Sequence, residues 1–219
     1  MEFKLVKGVG KYSEGTACIM SAAVAYKRVL DGVDIGKATD KLDCVCPVIR
    51  AFLIRINDSA IWSDDLHRTN VLLPLIPRIV GTNNPELLSK RMFFLVNWAV
   101  KTIAPLILRW QYFEDHAETF ESLKDIVDYE SANVAYAAAI VAKSDFLASG
   151  GDSTAVCDTL YNVANATYCA FTYSANAVDT AAWAADYVAN VVNTKSFADL
   201  KEKIVVEVVK VLDQLLDIR

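Results

Sequence analysis

Glycine is scarce in this chain, at 8 of 219 residues, and proline is scarcer, at 5. Alanine is abundant instead, so the composition leans strongly towards helix. Histidine occurs only as His67 and His116, distant in sequence from each other and from every cysteine. Zinc sites want paired cysteines with a second pair or histidines nearby. Cys44-x-Cys46 with Cys18 therefore reads as a group of buried structural thiols, and no metal or cofactor is expected. Five cysteines, an odd number unevenly spread, do not make a disulfide framework and match a reducing cytosol. Charged residues are 22% of the chain against 54% hydrophobic, which excludes intrinsic disorder. A net charge of −5 and a pI near 5.1 argue against a nucleic-acid-binding surface over the molecule.

Long uninterrupted apolar runs are also lacking. The nearest candidate for a membrane span, Met92 to Leu108, is broken by Lys101 and Pro105 and reads as a buried helix. The start, Met1-Glu2-Phe3-Lys4, carries no basic-then-apolar secretory pattern, so the expected location is the cytoplasm. A chain of this length buries roughly 70% of its unfolded surface and needs no staple.

What is present is helical punctuation. Residues 1–15, with Gly8, Gly10 and Gly15, read as an arm or short strand. Ala17, Met20, Val24 and Leu30 mark a first helix ended by Asp31-Gly32. Pro47 is placed as the first residue of a second, whose stripe is Ile49, Phe52, Leu53 and Ile56. Ser63 before Asp64 and Asp65 predicts an N-cap, and Pro74 and Pro77 stop that helix near Leu73. Asn84-Pro85-Glu86 opens the next helix, which Pro105 kinks or ends. Beyond residue 130 alanines dominate, and helices are predicted over 128–148, 153–176 and 178–193. Ser196 opens a final amphipathic helix carrying Leu200, Ile204, Val208, Val211 and Leu215. The expected fold is all-α, with seven or eight helices. Residues 1–115 form a motif-bearing region and 116–219 an alanine-rich one, packed together as a single domain.

Ala132, Ala135, Ala139 and Ala142 share one face, which suits close helix packing within the chain or against a second copy. A mean hydropathy of +0.27 favours a homo-oligomer.

No phosphate-cradling glycine loop has the required spacing. A catalytic reading would use Cys46 at a helix N-terminus, with His67 or His116 as base, or the acids of 63–65. No nucleophile signature surrounds them, so the chain leans away from an enzyme. One polar cluster stands out. Arg50 and Asn57 are seven apart on the second helix, Arg78 follows the double proline, and Arg91, Asn97 and Lys101 follow on the fourth helix. If these faces converge, Arg50, Asn57, Arg78, Asn97 and Lys101 form a basic, amide-bearing recess for a phosphate or carboxylate. The competing reading pairs the arginines with Asp43, Asp58 and Asp64 as structural ion pairs.

The stretch Gly15-Thr16-x-Cys18-x-Met20, then Asp43-Cys44-Val45-Cys46-Pro47-Val48-Ile49, Asn57-Asp58, Leu73-x-Leu75-x-Pro77, Gly81-Thr82 and Asn97-Trp98-Ala99-Val100-Lys101 resembles a protein family of uncharacterised activity. That family is frequent in tailed-phage genomes and also found in bacteria. Its members continue into an alanine-, tryptophan- and tyrosine-rich helical tail, as Trp183-Ala184-Ala185-Asp186-Tyr187 does here. The resemblance implies a phage origin and action in the cytoplasm of the infected cell. The expectation that follows is a non-enzymatic binding protein that counters host defence. Its partner is either a small anionic, nucleotide-type ligand or a host defence protein, and a nucleotide-degrading hydrolase is the alternative class.

Overall fold

The computed structural model describes residues 3–151, 154–172 and 198–218. Its only strands among these are β1 (Lys4–Leu5) and β2 (Thr16–Ala17), a parallel pair that ties the N-terminal arm to the start of the first helix. Gly10 turns between them at φ +78°, where a Cβ would lie 2.5 Å from the Cα of Ala17. Helices supply the rest: α1 (Ile19–Leu30), α2 (Pro47–Asp58), α3 (Asp65–Leu72), α4 (Ile76–Ile79), α5 (Leu88–Trp98), α6 (Ala104–Trp110), α7 (Glu114–Ser122), α8 (Tyr129–Ala148), α9 (Thr154–Thr172) and α10 (Ala198–Asp217). The fold is all-α. Two pairs run on as continuous rods, α3 with α4 and α5 with α6, giving eight helices among the described residues.

Local chemistry sets most boundaries. Pro47 occupies the first turn of α2, where its missing N–H has no partner to lose. The cap of α3 is Asp64, one residue later than Ser63. Asp64 is extended at φ −161°, and its carboxylate accepts from the His67 N–H at 2.7 Å, so it is the group that satisfies an orphan donor. α3 ends at Leu72, as Pro74 and Pro77 require, and the rod runs on only by changing its helix type. A 3-10 turn at Leu73–Leu75 lets each proline begin a new short segment, where it displaces no helical donor.

Pro105 is accommodated in a third way. A π-helical turn, Ala99–Ile103, widens the rod just ahead of it, relieving the clash a proline ring makes with the carbonyl four residues back. The rod Pro85–Trp110 is long and apolar enough to cross a membrane, yet 67% of its most apolar window is buried in the protein. It is the central core helix, with Met92, Leu95, Val96, Ile103 and Leu108 packed against α2, α9 and α10.

A capping box of Asp128 and Ser131 starts α8. Ala132, Ala135, Ala139 and Ala142 are buried, and this face packs on α9 of the same chain. Gly151 follows α8 against the Phe146 ring, with no room for a side chain. The described part of α9 ends at Thr172, and the helix expected over 178–193 and the cap at Ser196 lie outside the described residues. A single hydrophobic cluster runs from Phe3 to Leu216 and takes side chains from both halves of the sequence.

Candidate functional site

The five residues of the expected recess do not meet. Asn57, in the last turn of α2, is fully buried. Its Oδ1 accepts from the Ile19 N–H at 3.1 Å, and its Nδ2 donates to the Val6 carbonyl and to Asp58 Oδ1, both at 2.8 Å. It joins the N-terminal arm, α1 and α2. Asn97 does the same for the rear half. Its Oδ1 accepts from the Ile126 N–H at 2.7 Å, and its Nδ2 donates to the carbonyls of Phe93 (2.9 Å) and Ile126 (3.1 Å). Both amides satisfy buried backbone, the ordinary use of a polar side chain in a core. Arg50 is half-buried on α2; its N–H donates to the Cys46 carbonyl at 2.9 Å, and its guanidinium makes no hydrogen bond or ion pair among the described residues.

Lys101 and Arg78 line two separate clefts with no residue in common. The first is an open groove of about 760 Å³ between the π-helical turn, α6, α7 and α10. Lys101 pairs there with Asp125 at 2.7 Å, and Arg109 bridges Glu114 (2.7 Å) and Glu121. Hydrogen bonding from Arg109 holds the Glu121 carboxyl below its usual pKa. The lining balances Lys101, Arg109 and Lys203 against Glu121, Glu202 and Glu207 over Pro105, Leu106 and Val206. A groove so balanced offers an anion little net attraction.

The second cleft, of about 480 Å³, lies between the end of α4, the loop through Gly81 to Asn84, and the last turn of α10. Two guanidinium groups, Arg78 and Arg91, and one carboxylate, Asp217, line it, leaving one net positive charge on its wall. Arg78 donates to Asp213 Oδ1 at 2.5 Å, to the Asp213 carbonyl at 3.0 Å and to Asp217 Oδ1 at 3.0 Å. Arginines of this chain thus do form ion pairs, but Arg78 takes partners in α10 rather than Asp43, Asp58 or Asp64. Asp58 instead accepts from the Gly8 N–H at 3.0 Å.

Arg91 is the residue that the sequence understated. It is only 3% exposed, and among the described residues no carboxylate pairs with it. Its Nη1 donates to the Thr82 carbonyl at 2.6 Å and its Nη2 to the Ile218 carbonyl at 2.8 Å, while Nε has no partner. A buried cation without a counter-ion is costly. The carbonyl at the end of α10 offsets part of that cost, because the C-terminal end of a helix carries partial negative charge. The signal in the sequence was the i, i+13 pairing of Arg78 with Arg91 around a proline and glycine loop, which becomes meaningful only once α10 closes over it.

The catalytic candidates do not form a working set. Ser63 Oγ lies 3.2 Å from His67 Nδ1, but Ser63 is an exposed residue just ahead of α3 and His67 lies in its first turn, where Asp64 acts as cap. Cys46 is fully buried, and its N–H donates to Thr82 Oγ1 at 3.1 Å. The Sγ of Cys18 accepts from the Ser21 N–H at 3.3 Å and so caps α1. His116 pairs with Asp145 at 3.1 Å, far along the chain from either thiol. Among the described residues no three His, Cys, Asp or Glu side chains are grouped to hold a metal ion. No protein-family model, curated protein or solved structure matches this chain.

Proposed function

We propose that this protein is a non-enzymatic binding protein that sequesters a small phosphorylated anion, of nucleotide type, in the cleft lined by Arg78 and Arg91. The observation that carries this reading is Arg91, a guanidinium held almost wholly out of water with no acidic partner among the described residues, on the wall of that cleft. An anion in the cleft supplies the missing counter-charge, and the planar fork of arginine suits phosphate or carboxylate oxygens. A volume near 480 Å³ lies within the roughly 300–1,000 Å³ of small-molecule sites. The motif resemblance of the front half supports the setting: a phage protein in the infected cell that removes a signal on which host defence depends.

A thermal-shift panel of inorganic phosphate, nucleoside monophosphates and cyclic nucleotides tests the reading. One member of the panel should raise Tm by several degrees and be recovered intact after heat release. Arg78→Ala should remove that shift while leaving the unliganded Tm nearly unchanged, because exposed ion pairs contribute only about 0–1 kcal/mol. Recovery of altered ligand would replace sequestration with catalysis. A flat panel together with stoichiometric binding of a purified host defence protein would move the activity to a protein surface.

A further inference from the structure

Helix α8 is apolar on both sides. Opposite its alanine face, Val134 (53% exposed), Ile140 (40%), Val141 (53%) and Ala137 face outwards, and no charged residue occurs between Glu130 and Lys143. A surface helix normally alternates an apolar stripe with a charged one, and a helix apolar all round is a covered helix. At 100° per residue the exposed positions Glu130, Asn133, Val134, Ala137, Ile140, Val141 and Ser144 form one continuous strip.

We infer that two copies of the chain pair through this strip, with α8 antiparallel to the partner's α8 about a two-fold axis at Ala137. The order of residues along the strip argues for a second copy rather than an unrelated surface. Ala137, with no bulk, sits at the centre, so the helices approach to the short end of the roughly 8–10 Å range. Val134 and Ile140 stand three residues to either side of it, and Asn133 and Val141 four residues to either side. A two-fold axis across the helices keeps each flank on its own side, so Val134 meets the partner's Val141 and Asn133 meets the partner's Ile140, each contact occurring twice. Such self-complementarity is what an isologous interface requires.

Charge selects the antiparallel sense. Glu130 falls opposite the partner's Ser144, whereas parallel pairing would set Glu130 on the partner's Glu130 and align the two helix dipoles. The remaining charges of α8 lie on its flanks and are engaged: Lys143 over the Tyr161 ring at 5.1 Å, and Asp145 with His116 at 3.1 Å. A helix of 20 residues spans about 30 Å. One helix pair of that length belongs to the small interfaces, below about 1,200 Å² in total, so a concentration-dependent monomer–dimer exchange is expected.

Sedimentation velocity of the full chain over a dilution series should show the 24.1 kDa monomer at low concentration and twice that mass at high concentration. Ile140→Glu and, separately, Val141→Lys should abolish the dimer while far-UV circular dichroism and Tm stay as in the parent. Orientation is read from bifunctional thiol crosslinking scored against the parent chain. A mixture of Val134→Cys with Val141→Cys should yield the covalent dimer, and Val134→Cys alone should not. A monomer at every concentration overturns the inference, as does a dimer indifferent to both charge variants. Crosslinking of Val134→Cys alone overturns the antiparallel arrangement.

Discussion

Replacing Asn57 with alanine separates a structural role from a ligand-binding one. The side chain is fully buried and satisfies the N–H of Ile19, itself fully buried at the start of α1, and the half-buried carbonyl of Val6. Alanine leaves the Ile19 donor unpaired, which costs about 1–3 kcal/mol, and removes the Val6 bond, worth roughly 0.5–1.5 kcal/mol. The sum is about 1.5–4.5 kcal/mol, or a fall in Tm of roughly 3–18 °C for a domain of this size. Asn57→Asp should be worse, because the new carboxylate loses the donor to Val6 and faces the acceptor oxygen of Asp58 across what is now a 2.8 Å hydrogen bond. Urea unfolding followed by circular dichroism, with a thermal melt, gives both numbers. If Asn57→Ala unfolds within about 0.5 kcal/mol of the parent, the reasoning is wrong. In that case the amide is free for another task, and the recess read from the sequence regains its case.

Tyr112 sits just past the end of α6 at φ +63°, closing the helix through Phe113 N–H to Leu108 carbonyl at 2.9 Å, and the residue is 95% exposed. Glycine takes this left-handed position without the steric cost of a Cβ, so Tyr112→Gly should stabilise by roughly 0.5–1 kcal/mol, seen as a Tm rise of about 1–4 °C; a fall would show that the ring makes contacts of its own. Hydrogen bonds from the His67 N–H to Asp64 and from Ser131 to Asp128 hold both capping carboxyls below the usual aspartate range. Their contribution is therefore present above the unfolded pKa of about 4 and is lost as pH falls through the lower folded values. Tm measured from neutral pH downwards should drop in that acid window, and Asp128→Asn, which keeps an acceptor but no charge, should flatten part of the drop.

Much of the helical plan was legible because its causes are local. Pro47 and the Asn84-Pro85-Glu86 start act on the turn that contains them, and a sequence window holds everything needed to read them. The placement of Asp64 rather than Ser63 as cap is an error of one residue within the same turn. The treatment of prolines was less legible. Pro74 and Pro77 end α3 where the sequence places its stop, but whether the rod continues beyond them, or past Pro105, depends on whether the core can retain it, and here it does so through 3-10 and π-helical turns.

The candidate site depended on distance along the chain. Asn57 and Asn97 look alike to any reading of residue type, yet the first is matched to Ile19 and Val6, and the second to the backbone of Ile126. Arg78 finds its carboxylates in Asp213 and Asp217, more than a hundred residues away. Composition and periodicity by themselves determined that this is an all-α chain with an alanine face fit for close packing, because helix propensity, caps and the 3.6-residue repeat act between near neighbours. Tertiary structure alone decided which polar side chains remain available. A buried donor or acceptor must be satisfied wherever the chain brings a partner. That demand takes the asparagines for the core, pairs Arg78 with α10, and leaves Arg91 as a buried charge beside an open cleft.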